Sequence, residues 1–418
     1  MIRGAEGITP VNAADQTRLT QILAQARAMR AFAYLQLETY FSTDMKDPNA
    51  LGVILVKDVP DLHAKLPRVK NSDIYAFIEE DLTFARNTFN GIADPTQYFI
   101  GRSAVNAISA RYFLYKGDYA QAKTYAQAVI TASTAVAANS FALAAATPIT
   151  TSAAPTIDNS AWRTLFYAVG SSFNPYRQMW VDQNRGESIF SLGRIALTGN
   201  GVAIGTYWNT NSSSLSGSPM WFWGRNLYNL FVSGHSNGDI RWLVNRDPTT
   251  AANANYATLY PNNLGQTRSS DRLVVDKYPG KTGTNTRNDV KLFRLSEMYF
   301  ILAECAINDG QLSTAAGYIK NVRDARNFTG PVAAPTYASA QAAWADVLQE
   351  RRVELALEGH RYIDLKRLAV KAGVTMDRNN TDDIVLTSNL ANGDYRYTFP
   401  IPLSEISANP NAQQNTGY

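Results

Sequence analysis

Between Glu350 and Leu368 the chain reads ERRVELALEGHRYIDLKRL, and charged side chains recur there at helical intervals. Glu350, Glu354 and Glu358 are spaced by four, which on one helix would stack three mutually repelling carboxylates along a face. A pair of such acids could act as the acid and base of a glycosidase, but that chemistry needs a cleft with little cationic cover. Arg351, Arg352 and Arg361 are interleaved with these acids, and Arg361, Asp364 and Arg367 continue at steps of three. Val347, Leu348 and Leu355 add an apolar stripe, so the run reads as an ion-pair network that holds structure. His360, between Gly359 and Arg361, reads as a hydrogen-bonded residue at a helix junction. The three histidines, His63, His235 and His360, lie far apart in the sequence, which argues against a zinc site. Tyr278 to Thr282 ends like a phosphate loop, but Val275 stands where a glycine is required. Gly199, Gly201 and Gly205 lack flanking strand and helix signals, so no nucleotide, metal or other cofactor is expected.

The aromatic residues point to a different chemistry. Six of the seven tryptophans fall between Trp162 and Trp242. Sugar rings present C–H faces that stack on indole and phenol rings, while Asn, Asp and Arg side chains read hydroxyls. Tyr207-Trp208-Asn209 and Trp221-Phe222-Trp223-Gly224-Arg225-Asn226 place large flat rings beside short polar groups in Gly/Ser/Asn-rich text. We therefore take Trp208, Trp221, Trp223, Tyr207, Asn209 and Arg225 as candidate ligand-binding residues, with Trp180 as a weaker one. Trp162 and Trp242 read as structural, as buried indoles commonly are.

Helices must carry these groups. Leu19, Ile22, Leu23, Ala26, Ala33, Leu37 and Phe41 fit one apolar helical face over 19–41, ending before Asp47-Pro48. A second helix is predicted over 71–89, and Leu51–Val56 is a short β-branched run. YKGDYAQAKTYAQAV and INDGQLSTAAGYIKNV form an internal repeat that matches Gly117 with Gly310, Ala122 with Ala315, Tyr125 with Tyr318 and Val129 with Val322. Glycine at a turn with alanine at a helix–helix contact is the pattern of tetratricopeptide helix pairs, predicted here over about 99–131 and 291–327. Such pairs must stack to bury their apolar faces. A further helix is predicted over 341–369. The expected fold is mainly α: a tetratricopeptide-like scaffold with a loop-rich, irregular binding region and few short strands. The 418 residues divide into an N-terminal helical scaffold (1–134), a loop-rich region (135–290), C-terminal helical repeats (291–372) and a Pro/Asn-rich tail packing on the scaffold (373–418).

Charge and hydropathy narrow the function further. A net charge of +4 with dispersed Lys and Arg leaves no footprint for nucleic acid. No apolar run approaches the ~20 residues that span a bilayer, and the single Cys305 cannot form an internal disulfide.

The Glu350–Leu368 run, followed by FPIPLSEISANPNAQQNTGY from Phe399 to Tyr418, resembles the closing signature of the SusD/RagB family of surface nutrient-binding proteins. GESIFSL at Gly186–Leu192, NGDIR at Asn237–Arg241 and VKLFRLSEMYFILAECAINDG at Val290–Gly310 resemble further elements of that family. The resemblance implies a non-enzymatic protein that captures oligosaccharide or polysaccharide at the cell surface. It would pass the glycan to a SusC-like TonB-dependent outer-membrane transporter. It also implies outer-membrane attachment only through a lipid anchor, which family members carry ahead of the first residues seen here. The loop Ser42–Asn49 lacks the aromatic that relatives often place there. A RagB-type peptide receptor, and a glycosidase using Asp182 and Glu187, stand as alternatives.

Overall fold

The computed structural model describes residues 2–135, 139–147, 174–194, 203–208, 221–235, 238–247, 250, 273–379, 382 and 389–418. Among these, helices dominate and strands are few. Helix α1 (Ile2–Glu6) leads into α2 (Ala13–Phe41), whose first turn is capped by Asn12 accepting from the Asp15 amide. Strands β1 (Leu51–Ile54) and β2 (Arg68–Lys70) pair antiparallel before α3 (Asn71–Phe89). The helix pair α4 (Arg102–Lys116) and α5 (Tyr119–Ser133) follows.

The second helix pair, α9 (Leu295–Asn308) and α10 (Leu312–Arg326), repeats the first. Gly117 and Gly310 both sit in the left-handed region, φ +87° and +74°, where a side chain would be strained, so each pair turns on a glycine. Ala122 and Ala315 are fully buried, and their small side chains let the two helices of each pair approach closely. Helix α9 packs on α5 as well as α10, which stacks the two pairs as a scaffold. One core joins α2–α5 to α9, and another joins α9 and α10 to α11 (Ala340–Glu354) and α12 (Arg361–Ala372).

The helix expected over 341–369 is broken, which corrects the sequence reading. Helix α11 ends at Glu354, Leu357 and Gly359 adopt φ +64° and +84°, and α12 begins at Arg361. The break turns backbone oxygens outward as acceptors. Lys277 Nζ donates to the Ala356 carbonyl at 2.7 Å, and Tyr278 Oη donates to that of Leu357 at 3.1 Å.

Between the helix pairs lie α6 (Pro175–Trp180), β3 (Ser188–Leu192), α7 (Arg225–Gly234), α8 (Ile240–Asn245) and the small hairpin of β4 (Gly280–Lys281) and β5 (Thr284–Asn285). Strand β6 (Val290–Arg294) runs directly into α9 and pairs antiparallel with β3, matching Ser188 to Arg294. Strands β3 and β6 join segments far apart in sequence. Their pairing ties the loop-rich region to the scaffold. After α12 come a 3-10 turn (Tyr395–Tyr397) and α13 (Leu403–Ala408). The tail then lies against α2: Asn415 Nδ2 donates to the carbonyls of Phe41 and Phe399, and the buried Arg68 guanidinium donates to Gln413 O and Asn415 Oδ1.

Candidate functional site

The charged run is buried, and its cations come from elsewhere in the chain. Arg294, the last residue of β6, donates to Glu187, to Glu354 Oε1 at 2.7 Å and to both oxygens of Glu358. Arg326 at the end of α10 bridges Glu187 at 2.7 Å and Glu354 at 2.9 Å. Arg241 in α8 reaches Glu350 at 2.6 Å and Glu354 at 3.1 Å, while Arg323 takes the other Glu350 oxygen. The neighbours expected to neutralise these acids face other partners. Arg351 binds Asp364 at 2.8 Å, and Arg352 and Arg361 bind Asp377. Helical spacing thus identified the network, but tertiary packing chose the pairs.

The electrostatics follow from burial and the arginines. Burial alone would raise the Glu354 carboxyl, but Arg326, Arg294 and Arg241 together hold it well below the carboxylate range. Burial likewise opposes ionisation of Glu358, which Arg294 and Lys277 hold down at about 2. Desolvation lowers the half-buried His360 to about 4 and keeps it neutral at the junction of α11 and α12. Glu187 is covered by Arg294 and Arg326 and accepts from the Ala144 amide. Asp182 accepts from Lys291 Nζ at 2.7 Å, the Asp289 amide at 2.8 Å and Asn288 Nδ2. Neither acid has the uncovered cleft position that glycoside hydrolysis needs.

Trp180 links this network to the aromatics. It is fully buried, and Lys277, Lys291 and Arg294 lie 4.4, 5.1 and 5.3 Å from its ring centre. Its edge meets Tyr278, with centroids 5.6 Å apart at 89°. Tyr278 in turn backs Trp208 at 5.3 Å, and Trp208 meets Trp221 at 6.4 Å. Tyr207 closes the group at 5.2 Å from Trp221, whose amide donates to the Tyr207 carbonyl at 3.0 Å. A ladder of rings therefore climbs from the charged core to the surface.

Its outer end is open. Trp221 is 55% exposed and Phe222 45%, while Tyr207 and Trp208 are half-buried. Gly205 makes this placement possible, because a Cβ there would stand 2.0 Å from the Tyr278 carbonyl and 2.8 Å from that of Thr286. The strand-like contact of Gly205 N with Thr286 O at 2.9 Å seats residues 203–208 on the β4–β5 hairpin. Gly205 is a close-packing glycine.

Of the predicted site residues, the structure brings Tyr207, Trp208 and Trp221 together. Trp223 is 4% exposed and packs edge-on against Phe231 at 5.0 Å, facing the core. Trp180 is likewise a core residue. Arg225 is buried at the start of α7, its amide donating to Asp382 and its guanidinium lying 5.3 Å from the Tyr228 ring. Asn226 donates to Asp377 O and accepts from Asn379, so its amide binds the segment after α12. Trp242 is buried against Tyr228 and Phe231. Asn209 and Trp162 lie outside the described residues. Sequence reasoning missed Tyr278, whose only signal was the Tyr278-Pro279-Gly280 turn, and gave Phe222 no role of its own.

Paired helices bearing an irregular aromatic region define the class of this fold, which is shared over the full chain with solved structures. A putative sugar binding protein from Bacteroides vulgatus superposes with a TM-score of 0.70 at 22% identity, covering 100% of this chain and 81% of that one. A SusD superfamily protein from Bacteroides thetaiotaomicron gives 0.66 at 22% identity, covering 99% and 82%. The family model described as the SusD family matches residues 220–418. The starch-binding protein SusD of Bacteroides thetaiotaomicron is 32% identical over 147 residues, which is 34% of this chain and 24% of that protein. The match thus spans about a quarter of the curated relative.

Proposed function

We propose that this protein binds oligosaccharide or polysaccharide without hydrolysing it, at the outer surface of the cell, and passes it to a SusC-like TonB-dependent transporter. The observation that carries the reading is the cluster of exposed Trp221 with half-buried Tyr207 and Trp208, backed by Tyr278 and Trp180. Flat rings fixed at angles of 59° and 61° to Trp221 form a shallow, angled surface suited to successive sugar faces. Rigid backing limits the ordering cost of binding. The similarity to a starch-binding protein and to a putative sugar binding protein supports the same ligand class. Attachment through a lipid anchor agrees with the absence, among the described residues, of any helix long and apolar enough to cross a membrane. The ion pairs covering Asp182 and Glu187 favour binding over hydrolysis.

A glycan array run beside a hydrolysis assay and a peptide panel tests this. The expected result is retention of a glycan with no new reducing ends, lost in Trp221→Ala. Binding of peptides with no glycan retained, or release of reducing ends, would overturn it.

A further inference from the structure

A cavity of about 150 Å³ lies beside the break between α11 and α12, walled by the C-terminal half of α2, by α4, by β6 and by residues 357–360. A cavity of that size has room for one six-membered ring. The break itself supplies one wall. Leu357 is a non-glycine residue at φ +64°, a sparsely populated conformation of the kind that gathers at ligand clamps. Gly359, at φ +84°, completes the turn that brings His360 to the cavity.

Three side chains of the lining keep hydrogen-bonding capacity that no described residue uses. Tyr115 on α4 is only 4% exposed, yet its hydroxyl has no partner among the described residues and is not sealed from solvent. It stands where this cavity adjoins a second one of about 420 Å³, so the hydroxyl is reached through a cavity. Burial raises it to about 12, which keeps it a phenol able to donate and accept. The Gln36 amide, half-buried on α2, has no partner among the described residues either. His360 accepts from Arg351 at Nδ1, 3.4 Å away, which places its proton on Nε2, and that N–H is also unpaired there. The charged groups of the lining are spent. Arg111 pairs with Glu297, Lys291 with Asp182, and Glu358 with Arg294 and Lys277. What remains is a neutral set of donors and acceptors beside the rings of Phe32, Tyr40 and Tyr115. Such a lining suits a ring that carries hydroxyls and C–H faces, and it gives an ion nothing to pair with.

We infer that this cavity is a second binding site, taking one neutral pyranose ring. Its hydroxyls meet Tyr115 Oη, the Gln36 amide and His360 Nε2, and its C–H face lies against the aromatic wall. The cavity touches the aromatic ladder only from behind, through Ile204 and Tyr278, so it does not depend on the Trp221 surface.

Saturation-transfer NMR titration with the methyl pyranosides of D-glucose, D-galactose, D-mannose and N-acetyl-D-glucosamine tests it, with D-glucuronate and cyclohexanol as charged and apolar controls. At least one neutral pyranoside is expected to bind, several-fold more tightly than either control. Tyr115→Phe keeps the ring and removes only the free hydroxyl, and it should weaken that pyranoside several-fold. Gln36→Trp, at a half-buried lining position, should fill the cavity and abolish binding. Trp221→Ala should leave it unchanged. Binding lost in Trp221→Ala but kept in Gln36→Trp would move the ring to the surface cluster, overturning this site and leaving the proposed function intact. Equal affinity for cyclohexanol or D-glucuronate, undiminished binding in both Tyr115→Phe and Gln36→Trp, or no pyranoside bound by the parent protein would also overturn it.

Discussion

Two regions of this protein are built from functional-looking residues and have opposite fates. Around Glu354, carboxylates and arginines from β6, α8, α10 and α11 meet in a buried interior, each bound on several sides. Around Trp221, rings are gathered just as deliberately, but the outermost ones, Trp221 and Phe222, are exposed. The contrast shows that residue type is a poor guide to function and unused valence a better one. The charged region spends its interactions joining the loop-rich region to the scaffold, and the aromatic region keeps some in reserve for a ligand.

The sharpest way to break this contrast is Glu354→Ala, which would strand Arg241, Arg294 and Arg326 inside the core. A loss of about 3–5 kcal/mol in denaturant unfolding is expected, with glycan affinity of the remaining folded protein near that of the parent. Trp180→Ala should be comparable, about 3–5 kcal/mol, since it empties the joint between network and ladder. Its secondary effect on glycan binding measures how far the platform depends on its backing. Trp221→Ala should reverse the pattern, with about 2 kcal/mol or more lost from glycan binding in a titration. Its melting temperature should barely move, because an exposed ring contributes little to the core.

A smaller effect compares two kinds of buried carboxyl. Glu358 and Asp364 are held at about 2 by neighbouring cations against burial, so folding favours their ionised forms. Their stabilisation is complete above their ordinary values of 4.5 and 3.8 and is lost as pH falls toward 2. Glu38 is the opposite case: burial raises it to about 7, and one of its oxygens has no partner. Folding therefore favours protonated Glu38, and stability should decline as pH climbs from 4.5 to about 7. Glu38→Gln should flatten that window and raise stability above it by on the order of 1–2 kcal/mol, read from denaturation curves at several pH values.

Much of the scaffold was legible because its signals are local. Gly117 and Gly310 needed left-handed backbone, and the alanines that follow needed contact, so a repeat in the chain became a repeat in space. The break at Leu357 was not legible, since a leucine at positive φ has no sequence signature and is held there by Lys277 and Tyr278 from another segment. In the candidate site the clustering of tryptophans was visible, but their directions were not. Trp221 and Trp223 are two residues apart with equal propensity for recognition, yet one faces water and the other Phe231.

By itself, then, the sequence determined the helix pairs, the existence of an ion network and the aromatic richness of the middle region, because periodicity, turn chemistry and composition act over a few residues. Tertiary structure alone decided which arginine meets which glutamate and which indole reaches the surface. Burial and long-range pairing are properties of the packed chain, set by contacts between residues far apart in sequence.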